Sequence, residues 1–217
     1  MAHLLHVDSS ALSAGSVSKE IAETFRKAWD AEHPGGTVTH RDLGQSPVPA
    51  LVEPGLTAGF TPADQHSAEQ AAAFATRDEL AREVEQADTY LFTVPMYNWG
   101  IPGTFKTWLD QIIMPGRTLN ESAPPLAGRP ATVILSYGGG YGPGAPKEGW
   151  DFVQPYLEKL LGQAMGLKLT FIKAELTLAG RVPAMAELIP LAQQSRAAAH
   201  ESADSHARAL ASSFAAV

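Results

Sequence analysis

Apolar positions along the chain alternate between two periods. His3 to Asp8 (HLLHVD) is a short apolar run that ends in a serine- and glycine-rich loop, Ser9 to Ser16. Val17, Ile21, Phe25, Ala28 and Trp29 then mark one face of a helix, which Gly35-Gly36 breaks. Thr37 to Leu43 (TVTHRDL) reads as a second strand, and its polar content suits an exposed one. The next stretch carries Pro47, Pro49, Pro54, Gly55 and Gly59 and predicts a long loop of the kind used as a lid, binding loop or partner contact. Ala63 to Ala87 is rich in Ala, Glu and Gln and predicts a helix, with Thr61-Pro62 as its start signal. Thr89 to Val94 (TYLFTV) is an unbroken apolar run, as in a parallel strand buried on both faces. Phe105, Trp108, Leu109, Ile112 and Ile113 mark a third helix, closed by Pro115-Gly116. Ala131 to Leu135 is a fourth strand, followed by a loop from Gly138 to Pro146. Trp150, Val153, Tyr156, Leu157, Leu160, Leu161 and Ala164 form a fourth helix face, and Leu167 to Ile172 a fifth strand. From Ala184 the chain is alanine-rich and helical to its end.

Five strands alternating with five helices predict an α/β fold in which parallel strands are joined by crossovers, with helices on both faces. No shift in composition and no repeat divides the chain, so residues 1–217 are expected to form one domain. Five strands without a sixth favour the flavodoxin-like order 2-1-3-4-5.

Composition narrows the chemistry. The chain of 217 residues has no cysteine, which removes disulfides, thiolate nucleophiles, iron–sulfur clusters and cysteine zinc sites. Hydrophobic residues at 45% and charged residues at 18% suit a globular domain. A formal net charge of −7, with no run of Lys or Arg, argues against nucleic-acid binding. The start has no basic segment ahead of an apolar one, and the longest uncharged stretches, 89–105 and 130–146, are interrupted by Pro, Gly or Asn. A cytoplasmic protein that neither enters nor binds a membrane is the expectation.

In open parallel sheets, ligands bind beyond the carboxyl ends of the strands, near the switch in strand order. Three loops lie there. The first runs from Ser9 to Ser18 into helix one, where free N–H groups and the helix dipole favour an anion. Its serine hydroxyls add donors, and Gly15 allows close approach. The loop has no Lys or Arg, so a phosphate would be held mainly by neutral donors. Simple N-capping of the helix by Ser16 or Ser18 is an equally good reading of this loop alone. The second loop, Pro95 to Gly103, sets Met96, Tyr97, Asn98 and Trp99 at the end of the central strand, where apolar groups need a cover. A flat heteroaromatic ring would supply one. The third, Ser136 to Gly144, has consecutive glycines whose N–H groups can approach a ligand.

Other chemistry finds no support. Gly140-Tyr141-Gly142-Pro143-Gly144-Ala145 fits a dinucleotide fingerprint by letter, but it follows the fourth strand and carries proline. No Walker A motif, no G-x-S-x-G and no H-E-x-x-H occurs. His3 and His6 point to opposite faces of a strand, and His200 and His206 do not share a helix face, so no metal site is expected. What remains is an anion loop, a ring platform and a glycine wall, an arrangement in which a cofactor supplies the chemistry.

On these motifs the chain resembles the bacterial FMN-dependent NADH:quinone oxidoreductases, also called azoreductases. The resemblance spans nearly the whole length. It rests on Ser9-Ser10 with Ser16-Val17-Ser18, on Pro95-Met96-Tyr97-Asn98 followed by an aromatic residue, on Ser136-x-Gly138-Gly139 and on Arg41-Asp42-Leu43. It implies a flavodoxin-like homodimer with one tightly bound FMN per chain at the dimer interface. Ser10, Ser16, Val17 and Ser18 would hold the phosphate. Pro95, Met96, Tyr97, Asn98 and Trp99 would line the isoalloxazine. Ser136, Tyr137, Gly138 and Gly139 would close its pyrimidine side. The implied reaction is ping-pong: NADH gives a hydride to flavin N5, and a quinone or azo compound then takes two electrons. No side chain would act as catalyst. Thr118-Leu119-Asn120 and Tyr141 stand where family members often carry an aromatic pair and some carry a histidine, which opens the acceptor preference and the choice between NADH and NADPH. A flavodoxin-type electron carrier, an FMN reductase without azo activity and a non-flavin interaction protein on the same fold remain alternatives.

Overall fold

The computed structural model describes residues 2–120 and 123–215. Its five strands are β1 (His3–Asp8), β2 (Thr37–Asp42), β3 (Thr89–Pro95), β4 (Pro130–Ser136) and β5 (Lys168–Ala174). All pairs are parallel and the order is 2-1-3-4-5, as the sequence predicts. The register sets Asp8 beside Thr93 on β3 and Asp42 on β2, and Pro95 beside Ser136. The carboxyl ends of β1, β3 and β4 are therefore level, and the three loops emerge together.

The period-2 alternation of strands divides the interior into two cores. Leu4, Leu91, Ile134 and Ile172 face α1 (Val17–Glu32) and α6 (Ile189–Ala215), where Ile21, Phe25 and Trp29 meet an alanine stripe of Ala199, Ala203, Ala207 and Ala211. Small alanines let α6 lie close against α1. Leu5, Val7, Tyr90, Phe92, Val133 and Leu135 face α3 (Ala68–Gln86), α4 (Gly103–Ile112) and α5 (Gln154–Leu157). β2 is only half-buried, as befits an edge strand.

The structure departs from the sequence reading at three connections. The proline-rich loop contains a sixth helix, α2 (Glu53–Ala58), packed on α3. α3 starts at Ala68 rather than near Thr61-Pro62. Ser67 Oγ accepts from the Gln70 N–H at 3.2 Å while Gln70 Oε1 accepts from the Ser67 N–H at 2.9 Å, a capping box that fixes the start. Ala63–Gln65 is a separate 3-10 turn. The fourth expected helix begins four residues late, at Gln154, and widens into π-helical turns over Glu158–Ala164. Gly166, at φ +81°, ends it; a Cβ there would lie 2.7 Å from Pro124 Cβ.

Candidate functional site

A cleft opens where the sheet order switches. Its wall is formed by Ser10, Leu12, Gly15, Ser16 and Val17 after β1, Pro95, Met96 and Tyr97 after β3, and Ser136 and Gly138 after β4. The segment after β5 closes it with Thr177, Leu178 and Arg181.

Ser16 occupies the N-cap position of α1 with extended backbone, yet its hydroxyl makes no capping bond. Instead Ser16 Oγ lies 3.3 Å from Ser18 Oγ. Both serines are buried, Ser18 fully, and Ser18 itself does not reach the cleft wall. The N–H donors at the start of α1 thus have no capping side chain from Ser16 and are free to meet an anion. The loop's own donors are neutral, but a cation also lines the cleft. Arg181 enters from the chain after β5, and its Nη2 lies 3.7 Å from where a Gly15 Cβ would stand. Among the described residues Arg181 has no carboxylate partner within 4.0 Å.

Tyr97 joins the first two loops: its hydroxyl accepts from the Ala11 N–H at 3.0 Å and lies 3.3 Å from Ser10 Oγ. Tyr97 and Gly100 exchange both backbone hydrogen bonds at 3.0 Å, and the residues between them, Asn98 and Trp99, sit at φ 49° and 65°. This is a type I′ turn. Asparagine tolerates that conformation; a tryptophan at positive φ is strained, and strain of this kind gathers at ligand sites. Asn98 and Trp99 are exposed and stand outside the cleft wall. The Trp99 ring meets Trp150 edge-on at 5.3 Å, with Lys147 Nζ 5.5 Å from its centroid.

The third loop is tied to the chain after β5. Leu176, Thr177 and Leu178 donate N–H bonds to the carbonyls of Gly139, Tyr137 and Gly138. Among the described residues the N–H groups of Gly138 and Gly139 have no backbone acceptor, so they remain available, with Gly138 on the cleft wall and Gly139 behind it. Tyr137 turns its ring inward. Its phenol donates to Asp151 at 2.9–3.0 Å, and burial together with the Asp151 charge pushes its pKa far above the ordinary value. It is a neutral structural peg, and its ring does not face the cleft.

The sequence reading missed Thr177, Leu178 and Arg181. Their one signal is position, just beyond the carboxyl end of the last strand. Chemically the cleft is polar at the start of α1, with serine hydroxyls, a helix N-terminus and a guanidinium, and apolar at the end of β3, with Pro95 and Met96, while Leu12, Val17 and Leu178 add apolar side chains to the wall. A phosphate joined to a flat ring system fits that division.

The model of a family described as having a flavodoxin-like fold matches residues 2–214. The FMN-dependent NADH:quinone oxidoreductase of Streptomyces avermitilis is 52% identical over 217 residues, covering 100% of both chains. That of Streptomyces coelicolor is 47% identical, covering 97% of this chain and 96% of its own. Among solved structures, an azoreductase from Bacillus anthracis superposes with a TM-score of 0.82 at 22% identity, over 96% of this chain and 99% of that one. An FMN-dependent NADH-azoreductase from Bacillus anthracis, in complex with FMN, gives 0.80 at 19% identity over 97% and 100%.

Proposed function

The chain belongs to the flavodoxin-like fold family, and on that premise we propose that it is an FMN-dependent NADH:quinone oxidoreductase that also reduces azo compounds. The observation that carries the reading is the cleft with an uncommitted anion end and an apolar end at the switch of strand order. The names of relatives nearly half to just over half identical along the whole chain support the same activity. The donor set fits FMN, with Ser10, Ser16, the Val17 N–H and Arg181 around the phosphate and Ser18 steadying the Ser16 hydroxyl. Pro95, Met96 and Tyr97 support the ring system, and Asn98 and Trp99 border it from the turn. Ser136 and the free N–H groups of Gly138 and Gly139 meet its polar edge, with the Tyr137 backbone fixed behind them.

When bound, FMN would supply the redox chemistry, a ping-pong exchange in which NADH would give a hydride to N5 and a quinone or azo acceptor would then take two electrons. The protein binds, orients and excludes water. Tyr137 stays protonated and tied to Asp151, and no side-chain acid is assigned to the hydride step. The exposed aromatic rim of Trp99 and Trp150 is assigned to the interface of a homodimer.

The test is a titration of apoprotein with FMN followed by NADH oxidation with a quinone and with an azo dye. One FMN per chain and NADH-dependent turnover of both acceptors are expected. FMN binding without NADH oxidation would convert the protein to an electron carrier. No FMN binding would remove the reading altogether.

A further inference from the structure

On the α1 side of the sheet, in a groove that shares no lining residue with the cleft, three side chains converge. His6 and Asp8 stand two apart on β1 and so share a face, and the parallel register sets His40 of β2 directly beside His6. His6 Nε2 lies 3.2 Å from Asp8 Oδ1 and His40 Nε2 lies 2.9 Å from Asp8 Oδ2. The two imidazole rings stack at 4.5 Å. The potential ligand atoms all lie within 4.8 Å of one another.

From this geometry we propose a binding site for a first-row divalent cation such as Zn²⁺, held by His6, Asp8 and His40, with water completing its coordination. Two imidazoles and a carboxylate with one open position are a ligand set that zinc takes in tetrahedral form. Ligands about 2.0–2.1 Å from a tetrahedral centre stand roughly 3.3 Å apart, close to the separations seen here. In the metal-free protein each imidazole donates its Nε2–H to the carboxylate. The cation takes the place of those two protons on Nε2, each ligating ring then carrying its N–H on Nδ1.

Three further features suit a cation. Thr93 Oγ1 donates to Asp8 Oδ1 at 2.8 Å, the outer-shell bond that orients a ligating carboxylate. An open groove reaches the cluster between α1 and β2, and His40 is half exposed at its mouth. The groove's other charges are equal in number: Lys19 is paired with Asp42 at 2.6 Å and Arg26 with Asp30 at 3.2 Å, and Lys27 and Glu23 add one charge of each sign. The Asp8 carboxylate therefore leaves the groove with a net negative charge. Spacing along the chain hides this site, because its third ligand comes from the neighbouring strand and not from a helix or the same strand. The cation would tie the edge strand β2 to β1 directly below the Ser9-Ser10 loop.

The probe is Zn²⁺ alone, titrated calorimetrically into full-length protein that has been dialysed against a chelator. One ion per chain is expected, together with a rise in melting temperature. His40→Ala, at a half-exposed position, should weaken Zn²⁺ binding at least ~100-fold and abolish the thermal shift, more than loss of an outer-shell group would cost. His200→Ala, on α6, should leave both unchanged. X-ray absorption at the zinc edge of the unmodified protein should report two imidazoles at about 2.0–2.1 Å, a result that needs no variant to fold. No saturable binding, an isotherm unaltered by His40→Ala, or a first shell lacking two imidazoles would overturn the site.

Discussion

Ser16 sits at the N-cap of α1 with its hydroxyl unspent, and that separates two outcomes of one substitution. An N-cap serine tolerates aspartate, which accepts the same N–H bonds and suits the dipole. A serine facing a phosphate does not. At an effective dielectric of ~20, unit charges near 4 Å repel by ~4 kcal/mol before screening. Ser16→Asp should therefore weaken FMN by ten- to several-hundred-fold on the order of that repulsion while leaving riboflavin nearly unchanged. Arg181→Ala should bias the same ratio in the same direction by removing the cation. Titration of apoprotein with both ligands measures this, and an unchanged FMN-to-riboflavin ratio would move the phosphate elsewhere. Asn98 needs a different control, because it occupies a φ of 49°. Asn98→Ala strains the turn as well as removing the amide, whereas Asn98→Gly keeps the conformation. Both should weaken FMN, since losing a partner to a buried polar edge costs ~1–3 kcal/mol; tight binding by the glycine variant would make Asn98 a turn residue only. The serines, Met96 and Gly138 were legible in the sequence because they lie beside a strand whose apolar run announces itself. Arg181 was not, since nothing in RVPAM marks a cation that folds back across two strands.

The elements follow the hydrophobic pattern wherever burial is strong. β3 is buried throughout and was the clearest strand in the sequence. α2 was hidden because six residues are too few to display a helical period, although Pro54 in its first turn is a start signal. Arg77 of α3 holds that connection. Its buried guanidinium donates to the carbonyls of Gln111 at 3.1 Å, Gly55 at 2.9 Å and Ile113 at 2.9 Å. Hydrogen bonds from charged groups are worth about 1.5–3 kcal/mol each, so Arg77→Met should lower stability by about 3 kcal/mol or more in denaturant unfolding and expose the 44–60 segment to protease. An unchanged midpoint with no new cleavage would mean that α2 holds itself. On the other face, His206 of α6 lies 3.1 Å from Thr132 Oγ1, and burial lowers its pKa below the ordinary 6.5. The unfolded chain then binds the proton more readily than the folded one. His206 thus costs stability as pH falls through 6.5 toward the lower folded-state pKa, and contributes no slope above 6.5. His206→Gln should flatten the stability profile as pH falls below 6.5; parallel profiles for the two proteins would assign the slope to other groups.

At the scale of the molecule, the apolar surface has a direction. Among the described residues no helix is long and apolar enough to cross a membrane. Three exposed aromatics form a rim beyond Tyr97: Trp99 is 38% exposed and touches Trp150, 50% exposed, with Phe152, 61% exposed, two residues further along the chain, while the exposed Phe60 stands apart beside Phe74 and Arg77. A covered aromatic buries about 150–250 Å². These three, partly buried already, supply on the order of 300 Å² of the about 800 Å² per partner that a stable interface needs. In the proposed dimer this rim would supply only part of the interface, so a single truncation should leave the dimer largely intact. Charge at two of its central positions should not. Trp150→Asp combined with Phe152→Asp sets two carboxylates from each protomer into a desolvated contact, on a chain whose formal charge is already −7. Sedimentation velocity at micromolar concentration should find a dimer for the unaltered protein and a folded monomer for the double variant. The monomer should also hold FMN more weakly, because the cleft's apolar end loses its cover. A double variant that stays dimeric would place the interface away from the rim, and an unaltered protein that sediments as a monomer would leave the rim to face the acceptor instead.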